Sequence, residues 1–165
     1  MTSIEALAKE LEHEAKTTRR FLERVPFDRA DWRPHPKSLT VAELATHLVG
    51  CIGWAESIFT GDSLDFDPAT SRLAPPATRD ELLASFDAKV EVGLAALRCA
   101  TDADLDRPWR FSVLGKPYFE RPRGRVLRDF SLSHLIHHRG QLSVYLRLLD
   151  VPVPGAYGPS GDEKG

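Results

Sequence analysis

The chain is short of several things, and each shortage removes a class of protein. It has only two cysteines, Cys51 and Cys99, in 165 residues, and they form no close-spaced motif. That is no disulfide framework, so a reducing compartment is the expectation. No apolar run approaches the length of a membrane span. The opening stretch, MTSIEALAKELEHEAK, is amphipathic and mixed in charge and lacks the apolar core of a signal peptide. A cytoplasmic protein with no membrane partner is expected. Positive charge is not in excess either: 22 Lys and Arg stand against 24 Asp and Glu, a net charge of −2. Duplex binding requires a basic face that displaces counterions, so nucleic acid is not an expected partner. Internal repeats and low-complexity segments are also missing.

What remains is ordinary globular composition, 42% apolar and 28% charged, over a length that suits one domain, residues 1–165, with a real core. Three segments open with the same signal, a threonine followed three residues later by glutamate: Thr2 with Glu5, Thr40 with Glu43, and Thr78 with Glu81. The hydroxyl can cap first-turn N–H groups while the carboxylate reaches back. Each signal precedes a helical apolar stripe. The first helix runs to about Arg24, before Pro26. The second carries Leu44, Leu48, Cys51, Ile52 and Ala55 and stops at Gly61. The third carries Leu82, Phe86, Val90, Leu94 and Leu97. A fourth and longest helix spans about Arg125 to Leu149, ahead of Pro152 and Pro154. The Pro-rich connections are 26–39, 61–77 and 101–123. The last holds WRFSVLGKPYFE, whose alternating bulky residues around Leu114-Gly115-Lys116-Pro117 suit a short β-hairpin. The expected fold is an all-α four-helix bundle with long connections, helix order open.

Six histidines occur. His134 and His138, four apart, lie about 40° apart and roughly 6 Å along one helix face. Leu127, Phe130, Leu142 and Tyr145 share that face, so both imidazoles point inward. His47 follows Leu44 by three and precedes Cys51 by four, on the buried stripe of the second helix. Inward imidazoles are costly unless their nitrogens are satisfied, and a metal does this directly. One histidine from one helix and a pair from another is how bundle cores build metal sites. A lone histidine on an apolar face is usually a hydrogen-bonded core residue. Three together tilt the reading towards a metal site. Such an all-imidazole site leaves the ion an open position for water or thiol.

The neighbours of these histidines have weaker claims. Glu43 can orient or ligate, in competition with its cap. Cys51 lies one turn past His47, where a small buried cysteine is commonly core. His137 sits on the flank, and Gln141 is a candidate for lining the pocket. Arg139 is expected to leave the core for solvent or a partner. Gly140, costly inside a helix by about 1 kcal/mol, suggests a close helix approach. His13 and His35 read as surface and loop positions. Arg121, Arg123, Arg125 and Arg128 form a basic stretch that reads as a solvated loop, or more sharply as a rim attracting an anionic substrate.

Three segments together, DWRPHPKSLTVAELATHLVG (31–50), SHLIHHRGQLSVYLRLLDVPVP (133–154) and GAYGPSGDE (155–163), resemble the DinB/YfiT-like superfamily in order and spacing. His134 to Gln141 is the most specific part, and 61–123 carries no family signature. The resemblance implies a four-helix bundle, commonly a homodimer. It also implies one divalent metal ion on three histidines, here His47, His134 and His138. Zinc or nickel comes first, then iron or manganese. Members of known activity resemble thiol-dependent enzymes, some of them S-transferases joining a small thiol to an electrophile, and some members are associated with stress response. The expected function is accordingly a metal-dependent thiol S-transferase. A metal-dependent hydrolase with Glu43 as base, or a non-catalytic metal-binding stress-response protein, stands behind it.

Overall fold

The computed structural model describes residues 1–163. Its long helices are α1 (Ser3–Leu22), α2 (Val41–Thr60) and α3 (Arg79–Cys99). A final rod is built from α5 (Arg123–Val126), a π-helical segment (Leu127–Ser133) and α6 (His134–Leu148). A one-turn helix, α4 (Asp102–Leu105), precedes the hairpin.

The capping chemistry places these helices where the sequence expects them. Thr2 and Thr40 each accept from the third residue of the helix while Glu5 and Glu43 accept from the cap backbone. Thr78 accepts from the Glu81 N–H. The exposed N-terminus of α1 gains a second acceptor, because Asp102 takes the N–H groups of Ser3 at 3.1 Å and Ile4 at 2.8 Å. The Asp102 carboxylate thus ties α4 to the start of α1.

The helix order that the sequence left open is settled by packing. The helices α1 and α2 each lie against both α3 and the last rod, so the bundle runs α1, α3, α2, α6 around its axis. Leu11, Leu22, Leu44, Leu48, Ile52, Leu82, Leu97, Leu127 and Leu132 fill the centre. The helices α3 and α2 approach closely at Gly93, where an added Cβ would stand 3.1 Å from the Ala55 Cβ. At Gly140 the same atom would meet nothing within 4 Å, so that glycine serves no close approach and the expectation is corrected.

The hairpin expected around Leu114-Gly115 is present: β2 (Pro108–Val113) pairs antiparallel with β3 (Lys116–Pro122). Leu114 and Gly115 both have positive φ, 51° and 74°, the backbone a two-residue turn between twisted strands requires. Asp65 fixes the turn by accepting the Gly115 N–H at 3.0 Å. A third strand, β1 (Ser63–Phe66), pairs parallel with β2 and was not anticipated. The sheet faces the bundle through Trp109 and Phe111. The Trp109 indole is fully buried and donates to the Ser57 carbonyl of α2.

Arg139 is a second correction. It is 2% exposed, not directed to solvent. Its guanidinium donates to the Glu14 carboxylate at 2.7 Å, to Thr18 Oγ1 at 3.2 Å and to the Tyr157 hydroxyl at 2.6 Å. Burying a charge demands such pairing. The network clasps the tail after α6 onto α1. Arg147 with Asp162 and Arg20 with Glu163 extend the clasp. Among the basic residues before α6, Arg123 is buried against Asp62 and the Gly61 carbonyl, while Arg125 pairs with Asp129 and Arg128 with Glu10. Among the described residues, no helix is long and apolar enough to cross a membrane.

Candidate metal centre

The imidazoles of His47, His134 and His138 meet between α2 and the last rod. Their ring centroids lie 4.9 Å apart for His47 and His134, 4.4 Å for His47 and His138, and 4.6 Å for His134 and His138. His47 Nε2 stands 3.2 Å from His134 Nε2. Two neutral imidazoles cannot both aim lone pairs along that line without a proton or a cation between them. Nitrogens about 2.0–2.1 Å from a tetrahedral ion would be separated by about 3.3–3.4 Å. The observed spacing fits either occupant.

Cys51 belongs to the same cluster. One ligand atom from each of His47, Cys51 and His134 can be chosen so that all lie within 4.8 Å of one another, a group able to hold a metal ion. Cys51 is buried, and burial pushes its thiol up to about 12, so the sulfur is protonated until a cation displaces the proton.

His138 is oriented by its neighbours on α6. Its Nδ1 lies 2.7 Å from Gln141 Oε1, and Gln141 Nε2 lies 3.1 Å from His137 Nε2. The amide oxygen can only accept, so His138 carries its proton on Nδ1 and offers the lone pair of Nε2. The amide nitrogen can only donate, so His137 is the acceptor there. Gln141 and His137 are exposed and steer the ring from outside.

Electrostatics keep the three rings neutral. Burial, reinforced by the neighbouring imidazoles and by Arg72, lowers His47 to about 4. Burial also lowers His134 and His138. For His134, the Phe130 carbonyl acts in the opposite sense, and for His138 the Gln141 oxygen does. Neutral imidazole is the ligating form. Glu43, by contrast, is exposed and held in its cap, accepting from the Thr40 N–H at 2.7 Å. That bond lowers its pKa first, with Arg33 and Arg72 adding to the effect. His13 and His35 are exposed and apart from the cluster.

The rod reaches His134 through seven π-helical residues, and π segments often mark functional positions. They present Phe130 to Trp54 of α2 at 5.2 Å and to Phe119 of the hairpin at 5.0 Å. Beside His134 opens a cavity of about 410 Å³ lined by Arg121, Asp129, Phe130, Ser133 and His134. Of this lining the sequence nominates His134 as a ligand and Arg121 as part of an anion-attracting rim, but not Asp129, Phe130 or Ser133 as site residues, nor Trp54 behind them. Trp54 lies seven residues after His47 and Phe130 four before His134, so the histidine stripes themselves were the available signal.

The chain is similar to known proteins over most of its length. The model of the DinB superfamily matches residues 10–142. The Bacillus subtilis (strain 168) protein YrdA, itself uncharacterized, is 26% identical over 162 residues, covering 98% of this chain and 92% of YrdA. YjoA of the same organism is 26% identical over 131 residues, covering 79% and 80% of the two chains. A DinB-like protein from Bacillus cereus superposes with a TM-score of 0.73 at 22% identity, over 93% of this chain and 97% of that one. The YjoA crystal structure gives 0.69 at 18% identity, over 96% and 99%. With that fold, and with a family match spanning most of its length, this chain belongs to the DinB superfamily.

Proposed function

We propose that the protein is a metal-dependent enzyme of the thiol S-transferase type, with His47, His134 and His138 holding one divalent ion, zinc or nickel in the first place. The observation that carries this is the convergence of three neutral imidazoles from two helices at a site still open to solvent on one side. A divalent ion there would lower the pKa of a bound small thiol, supplying a thiolate nucleophile at neutral pH. The chain's own part is to hold the rings neutral, to fix His138 through Gln141, and to leave an approach beside His134 for the electrophile. Hydrolysis ranks behind, because Glu43, the candidate base, is committed to its cap. A non-catalytic ion is the second reading, favoured by Cys51, which could close the coordination as a fourth protein ligand.

The test is conjugation of a panel of small thiols to small electrophiles by metal-loaded protein. Product formation that disappears in the His134→Ala/His138→Ala variant supports the reading; no conjugation across the panel removes it. From the family resemblance we also propose a homodimer, supported by the exposed stripe of Gly140, Val144 and Leu148 on α6. Sedimentation of the wild type beside Val144→Glu/Leu148→Glu tests that.

A further inference from the structure

The cavity beside His134 has a chemical character of its own. Phe130 forms an apolar floor, fixed in place by Trp54 and Phe119. Arg121 stands at the other side, its guanidinium 5.0 Å over the Phe119 ring. That cation–π contact holds the guanidinium beside the apolar floor. Its nearest acidic partner, Asp129, is 3.4 Å away and accepts a shorter bond of 2.8 Å from Arg125. Most of the Arg121 donor fork is therefore uncommitted among the described residues, and its side chain is 47% exposed. Asp129 is already neutralised by Arg125, so an incoming anion meets a net positive edge. Arg123 and Arg128, the other members of the basic stretch, are occupied with Asp62 and Glu10. Arg72, whose charge acts on His47, adds positive potential around the cluster.

We propose that this cavity is the co-substrate subsite, and that it takes a small molecule with a flat apolar body and one anionic group. The flat body lies on Phe130, the anion pairs with Arg121, and the reactive end points to the His134 side of the cluster. This assignment rests on the transferase reading for its role as a co-substrate site, but the binding chemistry stands without it. The site is an open groove on the surface, and its volume of about 410 Å³ falls in the range of small-molecule sites, about 300–1,000 Å³. Charge-assisted pairing with a planar guanidinium is the stronger kind of hydrogen bond and the one that selects carboxylates.

The test is tryptophan fluorescence, with Trp54 against Phe130 as the reporter, on metal-free and zinc-loaded protein. The probes are 2-naphthoate and its uncharged analogue 2-naphthamide. The expected result is binding of the acid about tenfold tighter than the amide, in both forms of the protein. Arg121→Gln is expected to bring the two within about twofold, and Phe130→Leu to weaken both. Equal binding of acid and amide to the wild type, no binding of either, or an acid preference that survives Arg121→Gln overturns the subsite. A preference present only with zinc and untouched by Arg121→Gln places the carboxylate on the ion and overturns it equally. If the Arg121-dependent preference is found in a protein that takes up no metal, the subsite stands and the transferase reading falls.

Discussion

His47 and His134, which are 87 positions apart in the chain, bring their Nε2 atoms to within 3.2 Å across the groove between α2 and the last rod. Two neutral rings can make that contact only if one of them donates its Nε2 proton to the other; if both offer lone pairs there, a cation must sit between them. The functional reading grows from that pair, from His138 beside it, and from the burial that keeps all three unprotonated.

The depressed imidazoles set the acid behaviour of the metal-free protein. Unfolded, His47 titrates near the ordinary value of about 6.5; folded, it titrates at about 4. Between those values the unfolded chain binds more protons, so native stability falls as pH drops from about 6.5 towards 4. His134 and His138 shift in the same direction. Thermal melts across pH 4 to 8 should show Tm declining through that window. Zinc at a hundred times its Kd should add about 2.7 kcal/mol at pH 7. A Tm flat from pH 7 to pH 4 in metal-free protein would show that the rings are not constrained to neutrality.

Cys51 decides between an open and a closed site. With three histidine ligands, cobalt-substituted protein should lack a thiolate-to-cobalt charge-transfer band, and Cys51→Ala should keep its metal. A strong band that vanishes in Cys51→Ala would make the sulfur a ligand and favour the non-catalytic reading.

The buried pair of Glu14 and Arg139 carries a structural prediction independent of any metal. Glu14→Ala leaves Arg139 buried without its carboxylate and should cost about 3–5 kcal/mol. Replacing both residues by apolar ones should cost less than the single change. Denaturant unfolding measures both, and a Glu14→Ala loss below about 1 kcal/mol would mean that the guanidinium finds water instead.

Much of the frame was legible because its signals are local. The threonine–glutamate caps and the apolar stripes act within one or two turns: all three hydroxyls cap, and the glutamate reaches back to the cap at Thr2 and Thr40, while Glu81 accepts from the Ala77 N–H instead. The hairpin turn was visible in Leu114-Gly115 for the same reason. By contrast, β1 has four residues and pairs Ser63 with Arg110, a partner set by tertiary packing and not by its own sequence. Arg139 shows the limit of helical arithmetic, since its neutralising partner Glu14 lies 125 positions away on another helix. The π segment likewise leaves no local mark, although it decides how Phe130 meets Trp54. At the site, periodicity could nominate His47, His134 and His138 as inward residues. It could not show that α2 and the last rod face each other, nor that Cys51 would lie among the rings.

The most direct measurement is metal content by mass spectrometry on untagged protein, beside a His134→Ala/His138→Ala variant whose circular dichroism confirms that it is folded. The expected result is about one divalent ion per chain in the wild type and none in the variant. No metal in the wild type, even after incubation with zinc, nickel and manganese, would contradict the metal centre and leave the three histidines as hydrogen-bonded residues of the bundle.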